Sequence, residues 1–222
     1  MFELSNTNTY VVLHRFAGGA DGQLPASGLL RDSLGNLYGT TVNGGSEACS
    51  DGCGTVFKVT VKGVEKIMHR FAGPPGDGAN PYAGLVRDHA GNFYGTTSAG
   101  GTANQGTVFK IDTAGTETVL YSFQEGNDGA QPMAPLVLDS QGDLYGTTYA
   151  GGGGDVLVCS SGCGTVFKLD ESGGETILHV FSDLTDGFRP EAGLILDPVS
   201  NLYGTTDQGG STGNGAVFQI TP

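Results

Sequence analysis

The sequence predicts an all-β fold, a four-bladed β-propeller of four-stranded antiparallel blades whose ring is closed by the N-terminal strand. Three observations predict it. Four marker sequences recur four times in one order, each marker reads as a short strand, and the chain opens on a strand of the kind its last unit lacks. Self-similarity at a period of about 50 residues is the signature of a repeat architecture. The 222 residues then form a single domain, with blades at about 25–71, 81–123, 132–181 and 190–220 plus 11–16.

The elements follow in chain order within each unit. Strand a begins at Pro25, Pro81, Pro132 and Pro190 and closes at Asp32, Asp88, Asp139 and Asp197. Small residues occupy it, Ser27-Gly28, Ala83-Gly84, Ala134-Pro135 and Ala192-Gly193, as a strand lining a narrow channel requires. The closing Asp leads into a tight turn with Gly35, Gly91 or Gly142, where a carboxylate accepts backbone N–H bonds; Pro198 and Ser200 alter the fourth turn. Strand b ends in Tyr-Gly-Thr-Thr at 37–41, 93–97, 144–148 and 202–206, and strand c opens at Gly54, Gly106, Gly164 and Gly215 with Gly-Thr/Ala-Val-Phe. Strand d ends at Phe16, Phe71, Phe123 and Phe181. Aromatic and β-branched enrichment makes these strands, and no stretch carries a helical period.

Val11 to Phe16 is a d-type strand ahead of the first unit, and Ala216 to Ile220 is a c-type strand with nothing after it. Pairing the two closes the ring and covers the edges an open sheet exposes. A linear stack, or a larger propeller assembled from two chains or a longer parent, is the alternative. The sequence leaves the oligomeric state open.

Ten basic against 23 acidic residues give a formal charge of -13, which excludes nucleic acid as a partner. No apolar run approaches 18 residues, so no membrane insertion is expected. Cys49 with Cys53 and Cys159 with Cys163 share a C-x-x-x-C spacing in Gly/Ser-rich loops, which suits two local disulfides of a secreted or cell-surface protein. Free thiols or a metal site are the alternatives. Metal binding is otherwise undetermined, and no cofactor is expected apart from a structural cation that the central channel could hold.

Asp77-Gly78, Pro81, Ala83-Gly84-Leu85, Asp88, Gly91-Asn92 and Tyr94-Gly95-Thr96-Thr97, then Gly100-Gly101 and Gly106-Thr107-Val108-Phe109-Lys110, carry a pattern that resembles the GloVer (Gloeobacter/Verrucomicrobium-type) tandem repeat. It runs through nearly the whole chain, with Phe93, Pro135, Asp143 and Ala216 with Gln219 as departures. The blade order is also similar to NHL-type propeller repeats. The resemblance implies a bacterial secreted or surface protein and brings no catalytic motif.

Candidate binding residues come from what differs between units. The position after the strand-a proline holds Ala26, Tyr82, Met133 and Glu191, and the b-to-c loops have 12, 8, 15 and 8 residues, the long ones carrying the cysteines. Two pinned loops on opposite blades predict a groove on the top face, with Tyr82 and Glu191 at its ends. Tyr149 and Phe188 offer stacking faces; Asp77, Asp128 and Asp186 offer acceptors. Sugar hydroxyls need that mixture. A noncatalytic module for a neutral glycan or a peptide is the first reading. A structural or assembly module, and a carbohydrate-active hydrolase or lyase using the top-face acids, are the others. His14, His69, Tyr121 and His179 share one position on the outermost strand and read as hydrogen-bonded structural groups.

Overall fold

The computed structural model describes residues 2–4, 10–124, 126–153, 159–182 and 185–222, with backbone placement alone for 2–4. β1 (Phe2–Leu4) and β2 (Tyr10–Val12) form an antiparallel hairpin. The first repeat follows as β3 (Leu30–Arg31), β4 (Leu37–Thr41), β5 (Thr55–Val59) and β6 (Glu65–Arg70), hydrogen-bonded in that order. The second contains β7 (Gly78–Ala79), β8 (Val86–Arg87), β9 (Phe93–Thr97), β10 (Ala99–Gly100), β11 (Thr107–Ile111) and β12 (Glu117–Ser122). There β8-β9-β11-β12 make the four-stranded sheet, and β7 pairs with β10. The third repeat is β13 (Val137–Leu138), β14 (Leu144–Thr148), β15 (Thr165–Leu169) and β16 (Glu175–Val180). The last is β17 (Ile195–Leu196), β18 (Leu202–Thr206) and β19 (Ala216–Ile220), a sheet of three.

The closed four-bladed ring is not formed. Among the described residues there are six separate antiparallel sheets, and none closes on itself. β2 pairs with β1, not with β19: Phe2 stands opposite Val12, Glu3 opposite Val11 and Leu4 opposite Tyr10. This is the register of β5 on β6, where Phe57, Lys58 and Val59 face Ile67, Lys66 and Glu65. The first residues thus supply a c-type strand of their own. β1 and β2 are neighbours in the sequence, so their hairpin forms at small loop-closure cost and holds the edge that closure required.

Within each sheet, alternation sends one side of every strand forward and the other back along the array. Forward-facing Val56 meets Phe71, Leu85 and Phe93 in one buried cluster. The Phe that ends the outer strand packs edge-on against the c-strand Phe of the following repeat. Ring centroids lie 4.9 Å apart for Phe16 and Phe57, 5.0 Å for Phe71 and Phe109, 5.2 Å for Phe123 and Phe167, and 5.2 Å for Phe181 and Phe218. Glycine in Tyr-Gly-Thr-Thr makes room for that ring: a Cβ on Gly95 would stand 2.7 Å from Phe109 Cζ.

Threonine ties the inner strands together. Thr40 Oγ1 donates to Ala83 O (2.9 Å), Thr96 Oγ1 to Ala134 O (3.2 Å) and Thr147 Oγ1 to Pro190 O (3.3 Å). At the opposite end the turn aspartates act as the spacing predicts. Asp88 accepts from Asn92 N (2.8 Å), Asn92 Nδ2 (2.7 Å) and Tyr94 Oη (3.0 Å), and Asp32 and Asp197 repeat the set. These hydrogen bonds outweigh burial and hold the Asp32 carboxyl down at about 2. In the third repeat Asp143 replaces the Asn, and its carboxylate pairs with Lys168 at 2.5 Å. Lys58, Lys110 and Lys168 each sit over the ring of the b-strand tyrosine, Tyr38, Tyr94 and Tyr145.

Candidate functional site

Both predicted disulfides are formed, Cys49–Cys53 and Cys159–Cys163, each with Cα atoms 5.2 Å apart. Cys53, Cys159 and Cys163 are buried and belong to the clusters that pack around Phe71 and Phe181. Each bridge therefore anchors its loop to the core beneath. Such bonds form in oxidising compartments, as suits an extracellular or surface-exposed protein. No described helix is long and apolar enough to cross a membrane.

Among the described residues each loop lines a hollow of its own. A cavity of about 550 Å³ lies against the first, lined by Gln23, Gly44, Gly45, Cys49 and Asp51. Another of about 460 Å³ lies against the second, lined by Gln124, Gly151, Gly153 and Ser161. The loop expected to form the second wall of the groove includes residues 154–158, which lie outside the described residues.

The expected binding residues divide by environment. Tyr82 and Glu191 are exposed, Met133 and Tyr149 half-buried, and Phe188 is buried. Arg189 stands over the rings of Tyr149 (5.3 Å) and Phe188 (5.9 Å), so a cation already takes these faces. Asp77 accepts from Ala72 N (2.8 Å) and Gly78 N (2.6 Å) and contacts His69 Nε2 at 3.1 Å. Asp128 accepts from Tyr121 Oη (2.7 Å) and Gln124 N (2.6 Å), and Asp186 meets His179 Nε2 at 2.9 Å. The outer-strand histidines and tyrosine are thus each bonded to the aspartate of the loop that follows.

A third group completes these pairs. The first residue of the next outer strand is Glu65, Glu117 or Glu175, and one carboxylate oxygen of each is buried with no hydrogen-bond partner among the described residues. A bulge at Phe57, Phe109 and Phe167 gives each outer strand an extra residue and sharpens its twist. At the junction of the first and second repeats, ligand atoms of His69, Asp77 and Glu117 all lie within 4.8 Å of one another. Among the described residues no other such group of three is that tight. Burial, then the negative charge of Asp77, pushes the Glu117 carboxyl up to about 7, against a smaller opposing effect of His69. Burial and Asp128 bring Glu175 to about 7 as well, and burial raises Glu65. An imidazole with two carboxylates can share a proton or ligate a divalent metal ion.

Residues 1–159 match the Gloeobacter/Verrucomicrobia repeat. The chain belongs to this repeat family. No curated protein sequence matches it significantly. Among solved structures it is similar to a streptogramin B lyase (14% identity, TM-score 0.54, covering 88% of this chain and 55% of that one). It is similar to a putative gluconolactonase (11%, TM-score 0.56, covering 100% and 70%). A gluconolactonase from Xanthomonas campestris gives 15% identity and a TM-score of 0.52, covering 88% and 62%. The repeat protein spans 55% to 70% of the length of these structures, and at such identities the likeness shows a propeller-like fold alone.

The terminal Phe, by which the outer strands are recognised in the sequence, does not single out the glutamates that begin them, although the repeat carries a signal for them. Glu65, Glu117 and Glu175 hold one repeat position, while the equivalent residue of the N-terminal hairpin is Tyr10. A glutamate recurring at the start of an apolar strand marks a carboxylate carried into a junction between sheets.

Proposed function

We propose that this repeat protein is a propeller-like module with acid–base chemistry, acting by hydrolysis or elimination on a neutral, sugar-derived substrate in a bacterial secreted or surface protein. The observation that carries the reading is the meeting of His69, Asp77 and Glu117 at one junction. Two carboxyl groups in unlike environments divide the roles of acid and base. Glu117, pushed up to about 7, is the proton donor; Asp77, held by His69 and two backbone N–H groups, is the acceptor. The lyase and gluconolactonase names of the structural neighbours support the reaction class. A charge of -13 supports a neutral substrate over a polyanion. A stacking-only glycan site is less well supported, because Arg189 covers Tyr149 and Phe188.

The test is a panel of sugar lactones and neutral oligosaccharides, assayed from pH 5 to 9 with the full chain. Turnover with an inflection near 7 is expected, and Glu117→Gln should lower it by about 10²-fold or more. Glu65→Gln, at a junction lacking the tight triad, should leave it unchanged. Absence of turnover, or equal losses in both variants, would discard the reading.

A further inference from the structure

The array exposes two unlike faces that match each other. At the forward face of the last repeat, Val217 is 81% exposed, whereas its equivalents Val56, Val108 and Val166 are 0% exposed. Ile195 is 69% exposed and Thr205 is exposed, whereas Thr40, Thr96 and Thr147 are buried donors to the following repeat. At the rear face of the first repeat, Leu29 is 44% exposed against 6%, 2% and 7% for Leu85, Leu136 and Leu194. A Cβ added at Gly28 would meet nothing within 4 Å, while one at Gly84 or Gly193 would touch the preceding repeat. Apolar positions exposed here but buried at every equivalent internal junction mark an interaction site.

The internal junctions identify the occupant. Three times within the chain, the face bearing Val56, Val108 or Val166 is covered by a rear face of the Leu29 type. From this we propose that a second copy of the chain docks head to tail, the last repeat of one copy seated on the first repeat of the next. Thr205 then donates to a strand-a carbonyl of the partner, as Thr40 does to Ala83. Among the described residues β19 has β18 as its only strand neighbour, which leaves its other edge open. It takes the side of β2 that β1 holds in the single chain, and Phe218-Gln219-Ile220 repeats the pattern of Phe2-Glu3-Leu4. A contact between unlike faces generates rings or filaments, not isologous pairs.

Sedimentation of the full chain over a wide concentration range tests this. Oligomers growing with concentration are expected. Val217→Asp and Leu29→Asp, at residues already exposed in the single chain, should each give a folded monomer with an unchanged melting temperature. Mixed in equal amounts the two variants should form a dimer, because each keeps the face the other lacks. Removing residues 1–9, and with them β1, should strengthen association. A wild-type chain that is monomeric throughout, single variants that still assemble, or a mixture that stays monomeric would overturn the proposal.

Discussion

Phe71 packs edge-on against Phe109 with ring centroids 5.0 Å apart, and both side chains are fully buried. One ring ends the outer strand of the first repeat and the other lies on the c strand of the second, so this pair fastens two sheets that share no hydrogen-bonded ladder. Truncation of either ring opens a cavity where the sheets cannot collapse, because Gly95 already lets the Phe109 ring approach the backbone. Phe109→Ala should destabilise the protein by about 3–5 kcal/mol. Phe16→Ala, at a residue less fully buried than Phe71, should cost less. Denaturant unfolding of the two variants compares them, and equal losses would mean that the N-terminal segment is packed as tightly as an internal strand.

The junction glutamates give stability a sign with pH. Glu117 and Glu175 ionise near 7 in the folded protein, above the usual range near 4.5. The folded state therefore binds more protons than the unfolded chain between these values. Their contribution is fully present below about 4.5 and is lost as pH rises through about 7. Both side chains retain solvent contact, which reduces the effect to about 1 kcal/mol each. The double variant Glu117→Gln, Glu175→Gln should flatten the decline across this window and be more stable than the wild type at pH 8. Thermal unfolding at successive pH values measures it; an unaltered slope in the variant would show that other groups carry the dependence.

The two disulfides close loops of only a few residues, Cys49 to Cys53 and Cys159 to Cys163. Loop closure of that size restrains the unfolded chain by about 2 kcal/mol per bond. Reduction should lower the melting temperature by roughly 4–8 °C per bond, on the usual scale for a chain of this size. The transition should stay cooperative, since the sulfurs lie on a core that Phe71 and Phe181 maintain. Calorimetry with and without reductant checks this. Loss of the transition on reduction would assign the bridges a larger share of the fold.

Local chemistry made much of the molecule legible in the residues alone. Strand order within each repeat follows from alternation and from the Asp-x-x-Gly turns, where Asp88 and its equivalents accept the backbone bonds their position requires. The disulfide pairs followed from four-residue spacing, because so short a loop offers each cysteine its nearest neighbour. What depends on the relative placement of distant segments was not legible. Whether β2 meets β19 or β1 depends on where the packing of the intervening repeats places the two ends of the array, and the sequence pattern of a single unit does not carry that placement. Packing between neighbouring repeats likewise brings Glu117 to His69 and Asp77 and sets Arg189 over Tyr149. Repeat spacing specifies which units exist, whereas the packing of one unit on the next specifies which side chains meet.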